Sequence, residues 1–231
     1  MAQAMKGTGD GSARVERDVR LAYDTWSGTY DSQPNATRDL STYVVRRLVP
    51  DPVGLTVVEA GCGTGVNSSW LAPRCERLIG LDSSPGMLAI ARAKANQPHV
   101  RFVRHDIREP WLLKEASAGL VLINLVLEHI ESLAPVLRGA SRVMHEGATL
   151  IISELHPNRV AAGARARIRS EGLEIVNFLH TVGDYVAAAR KSGLRPVSIG
   201  EWSKQVLDDT LVDTDDDPLI LSLCFEKDSA G

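Results

Sequence analysis

The sequence predicts an α/β fold in which a parallel β-sheet carries helices on both faces. Short apolar, β-branched runs alternate with longer segments of helical periodicity, as expected for strands joined by covering helices. A glycine-rich turn follows the first of these runs. The chain of 231 residues, 44% hydrophobic and 24% charged, is long enough to bury one full core.

Seven apolar runs are predicted to be strands. They span residues 55–60, 77–81, 100–104, 119–124, 148–155, 195–202 and 219–226. After the second run, Ser84-Pro85 predicts a helix start, because proline suits the first helical position. Thr181 and Asp184 have the spacing of a capping box, and Gly193 suits the end of the helix that follows.

The remaining segments complete a predicted single domain over residues 15–231, preceded by a disordered tail at 1–14. Residues 15–50 are predicted to form a helical cap. Residues 156–180 are too long for an ordinary connection, so we expect a lid or substrate-binding insertion there. The segment 204–218 contains six aspartates. A solvated loop is favoured there over a site for a cation or cationic substrate.

Composition limits the classes of function. The formal net charge of -3, the pI near 6.1 and the scattered basic residues argue against a nucleic-acid partner. The three cysteines lack the spacing of a zinc site, and they suggest a reduced, cytoplasmic protein. No apolar run approaches the length of a membrane span, and the N-terminal segment has no apolar signal region.

The stretch VVEAGCGTGVN at residues 57–67 places a glycine-rich turn after the first predicted strand. Such a turn brings backbone N–H groups close to a ligand. The spacing is G-x-G-x-G, with Val66 where a dinucleotide fingerprint requires glycine, and no lysine follows to make a phosphate loop. Glu59 disfavours a pyrophosphate and suits an ammonium group. We therefore expect a ligand that is cationic at this end.

Two aspartates follow the next strands. Asp82 lies about 20 residues after Gly61, the interval at which a carboxylate accepts hydrogen bonds from ribose hydroxyls. Asp106 follows the third strand, where it could accept from an exocyclic amine while Ile107 flanks a base. Each alone is equally well explained as a surface or capping residue. Together, at successive carboxyl ends beside a glycine turn, they indicate one nucleoside crevice.

The segments VVEAGCGTG, LDSSPGMLAIARAK, VRFVRHDIREP and LVLINLVLEHI resemble successive motifs of the class I S-adenosylmethionine-dependent methyltransferases. The resemblance covers residues 23–227 and implies a Rossmann-like, seven-stranded, mostly parallel sheet with an antiparallel last strand. It implies S-adenosyl-L-methionine as cofactor and S-adenosyl-L-homocysteine as product. YDTWSGTYD, ahead of the sheet, is most similar to the small-molecule methyltransferases of quinone biosynthesis.

The resemblance also assigns the cofactor site by position. Glu59, Gly61 and Gly63 would face the methionine part, and Asp82 the ribose. Other assigned positions are Tyr23 and Tyr30 closing over the cofactor, Ser83 and Met87 beside the ribose aspartate, Asp106 and Ile107 at the adenine, and Asn124 and Leu125 beneath the cofactor.

The segment LVLEHI resembles the E-x-x-E-H metal site of some quinone O-methyltransferases. Val126 occupies the first carboxylate position, which leaves Glu128 and His129. Because two ligands make a poor site for a hard cation, no metal is predicted. The chain also lacks the N-P-P-Y segment expected for methylation of a flipped base.

Transfer from a sulfonium mainly requires positioning and exclusion of water, with a base to keep the acceptor nucleophilic. His129 is the first candidate for that base and His180 the second, and His156 also follows a strand. A structural histidine is the alternative for each. The aromatic residues Tyr185, Trp202 and Phe178 suit an acceptor pocket or the core equally well.

The leading prediction is methyl transfer to a small molecule at O, N or C, with aromatic or quinone-like metabolites favoured. One alternative is an NAD(P)-dependent Rossmann oxidoreductase or epimerase, which Val66 and Glu59 disfavour. The other is a non-catalytic protein that binds S-adenosylmethionine. The acceptor, the pathway and the oligomeric state are left open.

Overall fold

A central seven-stranded sheet organises the protein. The structure, a computed structural model, describes residues 14–16, 18–203, 205–207, 210–212 and 217–228. The strands of the sheet are β1 (Thr56–Ala60), β2 (Arg77–Asp82), β3 (Val100–Arg104), β4 (Ala118–Asn124), β5 (Met144–Leu155), β6 (Leu194–Trp202) and β7 (Ile220–Lys227). Their order is β3-β2-β1-β4-β5-β7-β6, and each overlaps one of the seven predicted runs.

Strand directions confirm the predicted fold class. β1 to β5 are mutually parallel, whereas β7 runs antiparallel to both of its neighbours, β5 and β6. The chain order reverses between β1 and β4. At such a reversal the loops leaving the carboxyl ends of two neighbouring strands diverge and open a crevice.

Helices connect the strands. They are α1 (Val19–Tyr30), α2 (Ala36–Leu48), α3 (Val66–Leu71), α4 (Pro85–Lys94), α5 (Leu133–Val143), α6 (Pro157–Ala161) and α7 (Val182–Lys191). The two predicted helix starts are confirmed. Ser84 Oγ accepts from the Met87 N–H ahead of Pro85, and Thr181 with Asp184 forms a reciprocal capping box.

Apolar clusters cover both faces of the sheet. Val57, Leu120 and Ile151 pack with α2 and α3, whereas their chain neighbours Val58 and Val121 pack with α5 and α7. Because successive strand residues point to opposite faces, this division places helices on both sides. A buried sheet of this kind gives the loops at its carboxyl edge a rigid support.

The segment before β1 and the insertion after β5 pack together. Arg14–Glu16 pairs with Leu173–Ile175, which also pairs with Arg167–Ile168. Ala22 and Trp26 of α1 bury their side chains against Ile168 and Ile175 of the insertion. These contacts join α1 to the insertion.

Parts of two predicted segments lie outside the described residues. In the predicted tail these are residues 1–13, and in the aspartate-rich segment they include Asp208, Asp209, Asp213, Asp215 and Asp216. The described residues of the aspartate-rich segment include two short strands, Gln205–Leu207 and Thr210–Val212, which pair antiparallel. None of the described helices is both long enough and apolar enough to cross a bilayer.

Candidate active site

A cavity of about 1000 Å³ opens at the carboxyl ends of β1 to β4. Every residue that the sequence assigns to the cofactor site lines it: Tyr23, Tyr30, Glu59, Gly61, Gly63, Asp82, Ser83, Met87, Asp106, Ile107, Asn124 and Leu125. His129 lines the same cavity. The fold therefore brings together residues that are distant in the sequence, because each follows or covers a strand end.

Two glycines of the turn have different reasons to be glycine. Gly61 and Gly63 both have positive φ, +74° and +52°. A Cβ at Gly61 would overlap the side chain of Val126, so its bare backbone serves packing against the loop after β4. A Cβ at Gly63 would meet nothing within 4 Å. At Gly63, the backbone conformation rather than crowding favours glycine.

Asp82 at the end of β2 holds the glycine turn. Its Oδ2 accepts from the Gly63 N–H at 2.8 Å, and its Oδ1 accepts from the Ser84 N–H at 2.8 Å. Burial raises the pKa of this carboxyl, against the opposing effect of the two hydrogen bonds. A carboxylate has further lone pairs, so Asp82 can still accept from a ligand in the cavity.

Glu59 at the end of β1 lies in the wall of the cavity with 2% of its surface exposed. The Ser68 hydroxyl on α3 donates to its Oε2. Burial raises the pKa of Glu59 to about 7, although the hydrogen bonds from Ser68 and Asn67 oppose this. A positive charge nearby would favour the ionised form, which fits the expected ammonium group.

Asp106 has a partner that the sequence analysis missed. Arg108 donates to its carboxylate through Nε at 2.9 Å and Nη2 at 2.5 Å. These hydrogen bonds hold the pKa of Asp106 below its usual value. The adenine assignment stays a prediction, and it requires the carboxylate to accept from a ligand while it is paired with Arg108.

Tyr23 and His129 form a hydrogen-bonded pair across the cavity wall. His129 Nδ1 lies 2.7 Å from the Val176 carbonyl, which can only accept, so Nδ1 carries the proton. Nε2 then accepts from the Tyr23 hydroxyl at 2.9 Å. Burial lowers the pKa of His129 to about 4 and raises the pKa of Tyr23. Both groups are therefore neutral near pH 7.

Asn124 ends β4 and Leu125 follows it, and both line the same cavity as this pair. Asn124 Oδ1 accepts from the Ser41 hydroxyl of α2 at 2.5 Å, and Ser41 also contacts the Ser153 hydroxyl at 2.7 Å. Leu125 has a positive φ of 55°, which is unusual for a residue other than glycine. Strain of this kind persists where the surrounding structure fixes the backbone.

Comparison with known proteins decides the family. Residues 58–152 match a family described as a methyltransferase domain. An uncharacterized methyltransferase of Emericella nidulans is 28% identical, over 86% of this chain and 83% of the relative. A Mycolicibacterium smegmatis protein named a probable S-adenosylmethionine-dependent methyltransferase is 30% identical, over 75% of this chain and 77% of the relative. The chain belongs to the S-adenosylmethionine-dependent methyltransferases.

A solved structure agrees with the fold of this methyltransferase. The N-methyltransferase NodS of Bradyrhizobium japonicum, in complex with S-adenosyl-L-homocysteine, aligns with a TM-score of 0.67 over 90% of this chain and 97% of that one. Its sequence identity is 14%, so the likeness concerns the fold alone. The family uses S-adenosyl-L-methionine as its cofactor, as the motifs imply.

The cavity fits that cofactor. No side chain stands over the backbone at Gly63, and Asp82 is fixed beside it by two N–H groups. The apolar Ile107 is 6% exposed and lines the same space. A bare turn, a carboxylate and an apolar side chain match the three kinds of contact expected for a sulfonium amino acid, a ribose and a base.

The other candidate histidines lie elsewhere. His180 does not line the cavity; its Nε2 donates to the Ile130 carbonyl at 2.7 Å, and its ring packs edge-on against Tyr185. His156 Nε2 lies 3.2 Å from Glu201 Oε1. This geometry gives the proposed catalytic role of His180 no support. It stays an untested prediction.

Among the three candidate pocket aromatics, Phe178 lines the methyltransferase cavity. Tyr185 is 3% exposed within the core, and Trp202 packs near Ile220 while donating to the Ser222 hydroxyl. Periodicity in the sequence cannot separate these two situations, because core and pocket aromatics occupy similar positions on their elements. Phe178 is the one that can contact a ligand there.

Two buried glutamates, Glu128 and Glu154, lie near His129, and the sequence analysis singled out only Glu128. Glu154, fully buried at the end of β5, accepts from the N–H groups of Val126 and Leu127 at 3.0 Å and of Glu128 at 3.3 Å. Burial raises the pKa of both Glu154 and Glu128. Across the described residues, no group of three His, Cys, Asp or Glu side chains is placed to hold a metal ion.

Proposed function

We propose that this methyltransferase transfers the methyl group of S-adenosyl-L-methionine to a small-molecule acceptor, at an oxygen, nitrogen or carbon atom. The observation that carries the proposal is a single cavity that unites the predicted cofactor residues with the Tyr23–His129 pair. Its volume of about 1000 Å³ is at the upper end of small-molecule sites, which leaves room beside a nucleoside for part of a second ligand.

When bound, S-adenosyl-L-methionine supplies a methyl group that its sulfonium charge already activates. The chain's own residues then have to bind, orient and exclude water. Asp82 would hold the ribose, and the Gly63 backbone would face the amino-acid part, to which Glu59 offers a negative charge. Tyr23 and Tyr30 of α1 line the cavity and would close over the cofactor.

The Tyr23–His129 pair favours an orienting role over proton removal. A base acting near pH 7 needs a pKa close to that value, whereas burial lowers the pKa of His129 to about 4. The histidine fixes the Tyr23 proton on one side of the oxygen. The oxygen lone pairs then point away from His129 and can accept from an acceptor hydroxyl or amine.

The names of similar proteins support leaving the acceptor atom open. A Methylobacterium relative, 32% identical over 59% of this chain, is named a ubiquinone biosynthesis O-methyltransferase, whereas NodS is named an N-methyltransferase. This chain covers 52% of that O-methyltransferase. Phe178 beside the cavity supports an acceptor with an aromatic or other flat apolar part.

Ligand titration tests the proposal. We expect S-adenosyl-L-homocysteine to raise the melting temperature while NAD does not, since a ligand that binds only the folded state stabilises it by about 2.7 kcal/mol at about 100 times its Kd. Incubation with the cofactor and a panel of phenols, amines and carboxylic acids should yield a product heavier by one methylene unit. A shift with NAD alone would contradict the proposal. Binding without any product across broad panels would favour a non-catalytic role.

A further inference from the structure

A second cavity of about 700 Å³ adjoins the first. It lies between the α1–α2 connection and the insertion after β5, and Tyr23, Tyr30 and Leu125 line both cavities. Direct methyl transfer requires the two reacting ligands to be in contact. A cavity that shares three lining side chains with the cofactor cavity is adjacent to it, and an acceptor bound there would lie next to the cofactor.

Glu128 lines the second cavity and is 6% exposed. Its Oε2 is buried and has no hydrogen-bond partner among the residues that the structure describes. Its Oε1 lies 3.7 Å from His129 Nε2, which is too far for a hydrogen bond. A buried polar atom without a partner is costly and requires an explanation.

A structural role does not explain this side chain. The turn after β4 is already held by Glu154, whose carboxylate accepts from three successive N–H groups. The same turn contains Leu125 with its positive φ. Glu128 is thus fixed in place by its backbone while its own carboxylate contributes no hydrogen bond to the described fold.

We propose that the second cavity binds the methyl acceptor and that Glu128 accepts a hydrogen bond from a neutral O–H or N–H group of that acceptor. This inference rests on the proposed function. Trp26, Leu155 and Leu219 supply an apolar wall for the body of the ligand. The donor group of the ligand would satisfy the carboxylate that the protein leaves unpaired.

The charges of the lining favour a neutral donor over an ammonium. Arg159, Arg165 and Arg167 line the cavity together with Glu128. Arg167 pairs with Glu174 at 2.8 Å and Arg165 lies 3.8 Å from the same carboxylate, while Arg159 donates to the carbonyls of Asp217 and Pro218. The three guanidinium groups outnumber the carboxylates of Glu128 and Glu174, and this excess of positive charge repels a cationic ligand.

Matched probes test the assignment. We would measure the Kd of 4-propylphenol, which can donate, and of 4-propylanisole, which cannot, for the full chain saturated with S-adenosyl-L-homocysteine. The wild-type protein should bind the phenol about tenfold more tightly, as expected for a hydrogen bond to a carboxylate. Glu128→Leu should bring this ratio close to one. Glu128→Gln, which keeps an acceptor oxygen, should retain part of it.

Controls separate this inference from the proposed function. Glu115→Leu, at an exposed position outside both cavities, should leave the ratio unchanged. All variants should bind S-adenosyl-L-homocysteine with wild-type affinity. The inference is wrong if the wild type binds neither probe, binds both equally, or prefers 4-propylbenzylamine to the phenol, or if Glu128→Leu and Glu128→Gln leave the ratio unchanged. If the wild type does not bind S-adenosyl-L-homocysteine, the proposed function itself is wrong.

Discussion

At the scale of single residues, Asp82 combines two tasks. Its two oxygens accept from the Gly63 and Ser84 N–H groups, so it fixes the glycine turn. It also lines the cavity, where the resemblance assigns it to the ribose. If the ribose assignment is correct, loss of this carboxylate would remove a ligand contact and also loosen the turn.

We expect Asp82→Ala to weaken binding of S-adenosyl-L-homocysteine by about 1 to 3 kcal/mol, because a charged acceptor is lost. Isothermal titration calorimetry would measure the change. Asp51→Ala is a matched control, since Asp51 is exposed between α2 and β1 and lines neither cavity. Wild-type affinity in Asp82→Ala would exclude Asp82 from the cofactor site.

His129 provides a second prediction at this scale. Its pKa is lowered to about 4 in the folded protein, chiefly by burial, against about 6.5 in the unfolded chain. The unfolded state therefore takes up a proton first as the pH falls below about 6.5. The stability that the neutral histidine contributes is present above that pH and is lost as the pH falls toward 4.

Between pH 7 and pH 5, the wild type should lose roughly 2 kcal/mol more unfolding free energy than His129→Gln, which cannot titrate. Urea unfolding at both pH values would give the two free energies. His145→Gln is a suitable control because His145 is exposed. Equal losses in the wild type and His129→Gln would mean that this imidazole titrates alike in both states.

At the scale of elements, α1 is attached over the cavity by polar contacts at two points. Asp24 Oδ1 accepts from the Ser84 hydroxyl at 2.5 Å and from the Gly86 N–H at 2.9 Å. Asp31 pairs with Lys94 at 2.7 Å and accepts from the Thr64 hydroxyl at 2.8 Å. Both attachments join α1 to α4 or to the glycine turn.

We expect Asp24→Ala to raise the Kd for S-adenosyl-L-homocysteine about 5- to 30-fold, which corresponds to about 1 to 2 kcal/mol. The reason is that α1 carries Tyr23 and Tyr30, which would cover the bound cofactor. Most of the change should appear in the dissociation rate, which stopped-flow displacement would measure. A lowered melting temperature with an unchanged dissociation rate would limit α1 to a structural role.

The elements also show what could be predicted from the sequence. The strands were predictable because apolar, β-branched runs identify them, and residues that follow parallel strands share one edge of the sheet. The Asp106–Arg108 pair is local, so its spacing could have indicated it. The contacts of Tyr23 with His129 and of Glu154 with the turn at Val126 join distant segments, and no local pattern encodes them.

At the scale of the whole molecule, buried carboxyl groups are concentrated around the two cavities. Glu59, Glu128 and Glu154 are all at most 6% exposed, and burial raises the pKa of each. Such groups reduce stability when they ionise. This loss of folding stability is concentrated around the cavities, as expected where polar groups are positioned to bind a ligand.

The final prediction concerns the pH dependence of stability. The pKa of Glu128 is raised to about 7 in the folded protein, against about 4.5 unfolded, so the folded state keeps a proton that the unfolded state releases. The stabilisation from the protonated Glu128 carboxyl is fully present below about pH 4.5 and is lost as the pH rises through 7. Between pH 5 and pH 8, the wild type without ligand should lose roughly 2 to 3 kcal/mol more unfolding free energy than Glu128→Gln.

Urea unfolding of both proteins at pH 5, 6.5 and 8 would measure this loss, with the exposed Glu115→Gln as control. Comparing wild type and variant at each pH cancels the contributions of groups that do not interact with Glu128, such as Glu59. Because the charge of Glu128 also raises the pKa of Glu154, the difference reports the titration of this buried pair. A constant difference between wild type and Glu128→Gln across the three pH values would contradict a raised pKa. It would mean that the Glu128 carboxyl is solvated in the folded protein, and it would then no longer require a ligand donor.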